Sequence, residues 1–390
     1  MQDAFTFQLK THVLFGLGRS REIGSFLEAK GLKRAFFLVD EGCAAHSPYY
    51  PEVLKACAAS LTVAGEVRLR GGEEPDYDYL DAVAGSLRDK PLPDVIVAIG
   101  GGSCLDMAKA VAVLLTNPGS GIDYRGFDKV TVPGVPVMAV PTTAGTGSEV
   151  TINAVFTDKK EMRKLGINGR YMEAAYAMLD AEWTLSCPQE AAVSAGMDAL
   201  THTLESFICR QHNRLTRVYS KEAFRLLYRN LPALAGDPQN AEKRQNILLG
   251  AHLAAIALFN SGSGIAGGFS YPIGVHYKVP HGLAGAVFLG SVTRFNAARG
   301  YTDYAELLDL VEAAPGLTLM EKSELFATRI EDLAAALGVP HDLGRYGITR
   351  AEAPRLEGFL AGLQGAFDQN PVAFSATTDA PALLQRHLPD

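Results

Sequence analysis

The stretch Asp94-Val-Ile-Val-Ala-Ile-Gly100-Gly101-Gly102-Ser103-Cys-Leu-Asp106-Met-Ala-Lys109 decides the fold class of this chain. Its first six residues are mostly β-branched and follow a proline, which predicts a short buried strand. Three glycines then allow a sharp turn that leaves backbone N–H groups uncovered. From Ser103 onward, apolar residues recur at helical spacing through Leu115. A strand, a glycine turn and a helix N-terminus favour a bound phosphate, although an ordinary tight turn would use the same residues.

A second buried strand, Arg34-Ala-Phe-Phe-Leu-Val-Asp40, ends in a carboxylate. An acidic residue at the end of such a strand can accept hydrogen bonds from a ribose hydroxyl, and it would repel a 2′-phosphate. The pattern therefore favours NAD over NADP. The same carboxylate is equally suited to cap the helix that follows, and the sequence leaves both roles open.

Hydroxyl groups and glycines are concentrated in Pro141-Thr142-Thr143-Ala-Gly-Thr146-Gly-Ser148-Glu149, directly after a predicted strand over 137–140. Their position at the carboxyl end of a strand suits a cofactor pocket. Strands and helices alternate up to about residue 184, which predicts an open, mostly parallel sheet. Strand patterns nearly vanish beyond that point. We therefore predict two domains, an α/β domain over 1–184 and an all-helical domain over 185–390.

The bulk composition argues against several classes of protein. A formal net charge of -7 and the lack of any basic run argue against a nucleic-acid surface. No apolar run approaches the roughly 20 residues of a membrane helix, and the first residues show no signal-peptide pattern. Five cysteines without a CxxC spacing suit a reducing compartment. We expect a cytoplasmic protein without membrane or nucleic-acid partners.

Two segments carry side chains that bind metals. Gly196-Met-Asp198-Ala-Leu-Thr-His202 places a carboxylate and an imidazole four residues apart, on one helix face. One helix can offer two ligands to a cation in this way, although such a pair is more often a hydrogen bond at a surface. Pro280-His281-Gly282 holds a further imidazole between residues that restrict the backbone, and His276 precedes it by five residues.

Five motifs follow one another in a definite order: Val39-Asp40, the glycine turn, the hydroxyl-rich segment, 196–202 and 280–282. In that order they resemble the iron-containing (group III) alcohol dehydrogenases, from the first strand to about residue 290. The resemblance implies a Rossmann-like N-terminal domain and a C-terminal helical domain, as in the dehydroquinate synthase-like fold. It also implies NAD(P) and a metal in the cleft between them, and a homodimer.

The resemblance also assigns roles residue by residue. Asp40 would meet the adenosine ribose, and Asp198, His202 and His281 would be three of the metal ligands. The other nucleotide-binding positions would be Gly101, Gly102, Ser103, Asp106, Thr142, Thr143, Thr146, Ser148, Lys164 and Leu179. The implied activity is reversible hydride transfer between a nicotinamide and an alcohol, aldehyde or ketone. The metal would act as a Lewis acid on the substrate oxygen, and His276 is a candidate for proton exchange with solvent.

Two departures from the family pattern bear on the metal. Gly267 stands where the resemblance places the remaining histidine ligand, and Tyr271 stands where it places another histidine. An Asp/His/His set can still hold Fe²⁺ or Zn²⁺ if water or substrate completes the shell. One alternative is a metal-independent reductase similar to the maleylacetate reductases, in which Tyr271, His281 or Lys164 polarises the carbonyl. The other is a nucleotide-binding descendant that has lost turnover.

Short segments bear on the substrate. The segment 164–171 and Tyr271 resemble the 3-deoxy-octulosonate 8-oxidase branch, which acts on a primary alcohol of a sugar acid. Arg163, Arg170 and Lys278 offer positive charge for a carboxylate or phosphonate, with surface cations as the alternative. The sequence therefore admits an acidic alcohol or aldehyde as substrate.

Overall fold

The computed structural model describes residues 4–72 and 74–390 of the 390-residue chain. These residues divide into two compact units. The N-terminal unit comprises Leu9–Pro188, and the helical unit comprises Gln189–Asp390 together with residues 4–8. The division falls after Pro188, whereas the sequence analysis placed it after residue 184. Residues 4–8 belong to the helical unit, whereas the sequence analysis assigned them to the α/β domain.

The strands all belong to the N-terminal unit. They are β1 His12–Phe15, β2 Arg34–Asp40, β3 Thr62–Leu69, β4 Val95–Gly100, β5 Gly126–Phe127, β6 Val137–Pro141, β7 Asn153–Asp158, β8 Arg163–Asn168 and β9 Tyr176–Leu179. Six of them form a parallel sheet in the order β1-β9-β6-β4-β2-β3, and β5-β8-β7 form a smaller sheet. β3 pairs with one side of β2, and the chain then crosses over so that β4 pairs with the other side. Open parallel sheets bind ligands at such a switch point, outside the carboxyl ends of the strands.

Helices cover both faces of the parallel sheet. They are α1 Ile23–Ala29, α2 Glu41–His46, α3 Tyr49–Ser60, α4 Tyr77–Arg88, α5 Gly102–Leu114 and α6 Glu182–Leu185. Alternate residues of β2 enter different cores, because Phe36 and Leu38 pack with residues of α4 and α5 whereas Phe37 and Val39 pack with residues of α1 and α3. Burial on both faces explains why β2 appears in the sequence as a continuous apolar run.

The hairpin of β7 and β8 is absent from the sequence prediction. The two strands pair antiparallel, from Asn153 opposite Asn168 to Asp158 opposite Arg163. β8 has the sequence RKLGIN and is only partly buried, so it lacks the apolar run by which the parallel strands were recognised.

The helical unit contains the remaining helices. They are α7 Gln189–Ile208, α8 Arg214–Asn230, α9 Ala233–Gly236, α10 Ala241–Phe259, α11 Ile265–Tyr277, α12 His281–Ala298, α13 Tyr304–Leu308, α14 Leu319–Ala336, α15 Ala353–Ala361, α16 Gln364–Phe367 and α17 Asp379–Leu384. α7 packs against α8, α10 and α12, and α12 packs also against α11 and α14. In the part of the chain that the structure describes, no helix combines the length and apolar character needed to cross a membrane.

The sequence analysis assigned no helix to α11 or α12, because both segments are rich in glycine. Glycine weakens an isolated helix by about 1 kcal/mol per residue, but here close packing requires it. A Cβ on Gly282 would lie 1.9 Å from the carbonyl oxygen of Ser194, and a Cβ on Gly268 would lie 2.7 Å from the Phe367 ring. These two helices carry four residues singled out from the sequence: Gly267, Tyr271, His276 and His281.

Candidate functional site

The glycine turn lies at the carboxyl end of β4, and Gly101 is the N-cap residue of α5. There is no room for side chains in this turn. A Cβ on Gly100 would lie 2.4 Å from the Cβ of Cys104, and a Cβ on Gly102 would lie 2.6 Å from Oγ1 of Thr146. The first N–H groups of a helix have no acceptor within it. The hydroxyl groups of Thr143 and Thr146 lie beside this turn, and uncovered N–H groups next to hydroxyl groups suit an anion.

Asp40 ends β2, next to the glycine turn. Its Oδ1 accepts a hydrogen bond from the N–H of Cys43 at 3.0 Å, so it caps α2. A Cβ on Gly100 would lie 3.1 Å from the Cβ of Asp40, and a Cβ on Gly71 would lie 2.9 Å from its Oδ2. One oxygen therefore caps the helix while the other lies beside a residue without a side chain. The capping role and a ribose-binding role do not exclude each other.

Ser103 adjoins a shallow cavity in the N-terminal unit. Leu69, Arg70, Tyr79 and Met107 line the cavity with it. Leu69 is the last residue of β3, so the cavity lies at the carboxyl ends of the strands, on the same side as the glycine turn.

Asp106 belongs to a hydrogen-bond network inside the N-terminal unit. Ser148 Oγ donates to Asp106 Oδ1, and the N–H of Val155 donates to Oδ2 at 2.9 Å. Lys109 Nζ lies 3.3 Å from Oδ1 and donates to two backbone carbonyls close to the start of β7. Burial lowers the pKa of Lys109, and the charge of Asp106 opposes that shift. The network fixes the hydroxyl-rich segment and β7 onto α5.

The remaining predicted nucleotide-binding residues lie in different places. The N–H of Thr142 donates to the carbonyl of Gly100 at 3.0 Å, and its side chain is hydrogen-bonded to Cys43. Lys164, on β8, forms an ion pair with Glu74. Leu179 ends β9 with its side chain in the core. The glycine turn and its threonines thus lie together at the carboxyl ends of the parallel strands, whereas Lys164 lies on the small sheet.

In the helical unit, two imidazoles face one carboxylate. Asp198 and His202 lie one turn apart on α7, and His281 is the first residue of α12. Nε2 of His202 lies 3.5 Å from Asp198 Oδ1, and Nε2 of His281 lies 4.0 Å from the same oxygen. Nδ1 of His202 is buried without a hydrogen-bond partner in the described part of the chain.

These donors suit a divalent cation in kind, but they are spaced more widely than ligands of one cation. One carboxylate oxygen and two imidazole nitrogens are ligands that Fe²⁺ and Zn²⁺ accept. Neighbouring donors in a tetrahedral zinc site lie about 3.4 Å apart, and the wider gap here exceeds that by about 0.6 Å (4.0 minus 3.4). Over residues 4–72 and 74–390, no three His, Cys, Asp or Glu side chains are grouped closely enough to hold a metal ion.

Gly267 offers only backbone to this region. It lies in the first turn of α11, and its N–H donates to Oε1 of Glu205 at 2.8 Å. Glu205 lies on α7 and is 3% exposed, and burial raises the pKa of its carboxyl. The sequence analysis missed Glu205, although Asp198, His202 and Glu205 have the i, i+4, i+7 spacing of a single helix face.

Tyr271 and His276 have different surroundings, although both lie on α11. The Tyr271 ring packs edge-on against His281, with centroids 5.4 Å apart. The His276 ring stacks on Phe359 of α15, with centroids 4.0 Å apart, and burial lowers its pKa. Tyr271 therefore adjoins the candidate metal residues, and His276 packs against another helix.

Comparison with known proteins identifies the family. Residues 10–181 match the iron-containing alcohol dehydrogenases, and residues 192–377 match the C-terminal part of the Fe-containing alcohol dehydrogenase family. The chain belongs to the iron-containing alcohol dehydrogenase family. The predicted family, the enzyme class of alcohol dehydrogenase or aldehyde reductase, and the predicted fold class are confirmed.

Individual relatives resemble the chain over most of its length. It is 31% identical over 345 residues to 1,3-propanediol dehydrogenase of Citrobacter freundii, which covers 87% of this chain and 88% of that protein. A solved 1,3-propanediol oxidoreductase superposes with a TM-score of 0.91 at 27% identity, over 99% of this chain and 100% of the other. The sulfoacetaldehyde reductase of Bifidobacterium kashiwanohense, solved in complex with NAD⁺, gives a TM-score of 0.86 at 25% identity over 99% of each chain.

Proposed function

We propose that this protein interconverts an alcohol and an aldehyde by NAD-dependent hydride transfer, with Fe²⁺ or Zn²⁺ held by the helical unit. The observation that carries the proposal is that His202 and His281, from two helices, both face the carboxylate of Asp198. The related sulfoacetaldehyde reductase, solved with NAD⁺, supports the choice of cofactor.

The nucleotide would bind at the switch point of the N-terminal unit. The N–H groups at the start of α5 would hold the pyrophosphate over Gly101 and Gly102, with Ser103 and the hydroxyl groups of Thr142, Thr143 and Thr146 beside it. Asp40 would accept hydrogen bonds from the adenosine ribose through Oδ2. Asp106 and Ser148 would act indirectly, because their mutual hydrogen bond fixes the hydroxyl-rich segment. NAD supplies the hydride chemistry, and these residues supply binding and orientation.

Asp198, His202 and His281 would hold the cation. A bound divalent cation supplies Lewis acidity toward the substrate oxygen. The carboxylate contributes negative charge, and the imidazoles ligate in their neutral form. Tyr271, edge-on to His281, places a phenol beside these ligands, where it would donate a hydrogen bond to the substrate oxygen.

The test is the metal content of protein purified without added metal, together with NAD-linked turnover before and after chelation. The proposal expects about one equivalent of iron or zinc, and loss of turnover on chelation that the metal restores. Turnover that survives complete removal of metal would refute the cation's role.

A metal-independent reductase is the second candidate, and Gly267 favours it because that position supplies no ligand side chain. In that enzyme, Tyr271 or His281 would polarise the carbonyl. Tyr271→Phe distinguishes the two. In the metal-independent enzyme it would abolish turnover, whereas in the metal enzyme it would lower kcat by a smaller factor and leave metal content unchanged.

An acidic short-chain aldehyde is the substrate class that we propose. The related sulfoacetaldehyde reductase supports it, since its name describes an aldehyde that carries a sulfonate. A panel that pairs each neutral aldehyde with its carboxylate or sulfonate analogue tests this. A higher kcat/KM for the charged member of each pair is the expected result, and a preference for the neutral members would exclude the class.

We further propose a homodimer in the cytoplasm. β1 is an edge strand of the parallel sheet, and its Val13 and Phe15 are more than a third exposed, as expected where a second copy covers an edge. All five cysteines are free thiols, which supports a reducing compartment. Light scattering coupled to gel filtration tests the dimer, and Phe15→Lys should shift the mass toward the monomer.

A further inference from the structure

A cavity of about 450 Å³ lies in the N-terminal unit, at the amino ends of three parallel strands. It is lined by His12, Val137 and Tyr176, which are the first residues of β1, β6 and β9. Ala112 and Val113, near the end of α5, line it as well. α5 runs from the glycine turn to this cavity, a length of roughly 17 Å at 1.5 Å per residue. The cavity is therefore separate from the proposed nucleotide site, and its volume is that of an ordinary small-molecule site.

Hydrogen bonds and close packing hold two walls of the cavity in place. In the loop before β6, the carbonyl of Pro133 accepts a hydrogen bond from Thr116 Oγ1 at 2.9 Å. Gly134 lies directly on α5, because a Cβ there would be 2.8 Å from backbone atoms of that helix. On the opposite wall, Thr11 Oγ1 donates to the carbonyl of Ala174 at 2.9 Å. The cavity is thus formed by segments that are fixed before any ligand binds.

Glu173 lines this cavity with a carboxylate that has little to bind. Its side chain is only 4% exposed, and neither carboxylate oxygen has a hydrogen-bond partner among the residues that the structure describes. Lys10 Nζ lies 3.7 Å from Oε2, which is an ion pair but too long for a hydrogen bond. A buried carboxylate without hydrogen bonds is costly, so this group favours a ligand that donates to it.

Lys10 and Glu173 present an ammonium and a carboxylate side by side. A ligand with both groups on one carbon can meet both, because its ammonium donates to Glu173 and its carboxylate accepts from Lys10. Arg170 also lines the cavity and lies over the ring of Tyr171, 5.0 Å from its centroid, where it adds a second cation for the ligand carboxylate. A ligand with only one sign of charge would face repulsion from one of these groups, whereas a zwitterion complements all of them.

The Lys10 side chain does not close the cavity permanently. It is 58% exposed, and an ion pair at the surface contributes about 0–1 kcal/mol, so its ammonium can move aside as a ligand enters. Lys109 lines the cavity too, but its ammonium is already paired with Asp106. Most of the remaining lining is apolar and suits an apolar side chain; it consists of Ala112, Val113, Pro133, Val135, Pro136, Val137 and Ala174.

We propose that this cavity binds an α-amino acid with an apolar side chain, with its ammonium on Glu173 and its carboxylate on Lys10 and Arg170. The side chain of the amino acid would lie against the apolar wall. This site is additional to those of the nucleotide and the alcohol, and it does not depend on the proposed function.

The first test is calorimetric titration of the full-length protein with L-phenylalanine and L-leucine. Each is compared with an analogue that lacks the ammonium, hydrocinnamate or isocaproate, and with one that lacks the carboxylate, phenethylamine or isoamylamine. At least one amino acid should bind with a dissociation constant below about 1 mM, and both of its analogues should bind at least about tenfold more weakly. No binding of either amino acid at about 10 mM, or an analogue that binds as tightly as its parent, would overturn the proposal.

The second test uses variants of the two charged groups. Glu173→Gln keeps the shape of the side chain and should raise the dissociation constant of the amino acid at least about tenfold. Glu28→Gln loses the same charge at an exposed position of α1 and is the matched control, which should change nothing. A dissociation constant for Glu173→Gln within about threefold of the wild type would remove Glu173 from the site.

Lys10→Met provides a decision even if Glu173→Gln does not fold, because Lys10 is exposed. It should weaken binding of the amino acid about tenfold without weakening binding of the amine analogue, which has no carboxylate for Lys10 to meet. Equal weakening of both ligands would contradict the proposed orientation.

Competition with NADH distinguishes this site from the nucleotide site. Saturating NADH should not displace the bound amino acid, and displacement would place the amino acid at the nucleotide site and overturn the proposal. The two proposals therefore fail separately. Loss of NAD-linked turnover would leave amino-acid binding intact, and an unoccupied cavity would leave the proposed function intact.

Discussion

Lys109 Nζ lies 3.3 Å from Asp106 Oδ1, one turn away on α5, with the lysine side chain 1% exposed. A buried ammonium group is tolerated only when a nearby charge and hydrogen-bond acceptors compensate it. Asp106 provides the charge, and backbone carbonyls close to β7 provide the acceptors. The pair therefore ties the helix that follows the glycine turn to the hairpin of β7 and β8.

Asp106→Asn should destabilise the N-terminal unit by about 3 kcal/mol, because it leaves the charge of Lys109 buried without its partner. Denaturant unfolding of the variant and the wild type measures the effect. Asp89→Asn is the control, since Asp89 is exposed at the end of α4. An effect of Asp106→Asn no larger than that of the control would show that the pair contributes nothing to stability.

Asp40→Ser should move cofactor preference from NAD toward NADP. The substitution removes the charge that repels a 2′-phosphate, and a serine oxygen can still cap α2 through the N–H of Cys43. We expect kcat/KM with NAD to fall about tenfold, the loss of about 1.4 kcal/mol of binding, while kcat/KM with NADP rises. Glu41→Gln removes a neighbouring charge and should leave the ratio unchanged. An unaltered ratio in Asp40→Ser would remove Asp40 from the ribose site.

The parallel sheet could be predicted because its strands are buried on both faces. β2 and β4 were recognised within one residue of their observed ends, since burial on both sides requires continuous runs such as Phe36 to Val39. β8 was missed because one face is open, and a glycine and two cations interrupt its pattern. The α/β class is therefore visible in the sequence, and the inserted hairpin is not.

The candidate metal site could be predicted only in part. Asp198 and His202 were found because a helix brings residues four apart onto one face. α11 and α12 were missed, because glycines such as Gly282 lower helix propensity and make sense only once the neighbouring carbonyl of Ser194 is known. The contact between Glu205 and Gly267 could not be predicted either, because it joins residues 62 positions apart in the chain.

Gly102→Ala should weaken NAD binding at least about tenfold, because the new Cβ would lie 2.6 Å from Thr146 Oγ1 and 2.7 Å from its Cγ2. Either the turn or the hydroxyl-rich segment must then move. Thr146→Gly in the same chain removes the clash and should recover part of the affinity. Fluorescence titration with NADH measures both variants. If Gly102→Ala binds NADH as tightly as the wild type, the close packing of the turn is not needed for the nucleotide.

Cys43 should react slowly with alkylating reagents at neutral pH. Burial raises the pKa of its thiol to about 11, the charge of Asp40 adds to the shift, and the hydrogen bond with Thr142 opposes it. Since only the thiolate reacts, about 3 in 10,000 of these groups are reactive at pH 7.5. The alkylation rate at Cys43, followed by mass spectrometry of its peptide, should rise about tenfold per pH unit between pH 7 and 10. Thr142→Val removes the opposing hydrogen bond and should slow the reaction further.

Bound NAD should also slow the alkylation of Cys43, because the nucleotide would lie against Asp40, and Asp40 caps the helix that carries Cys43. A rate that levels off near pH 8.5 would mean that the thiol is solvated like a free cysteine, and the carboxyl ends of these strands would then be more open than the structure shows.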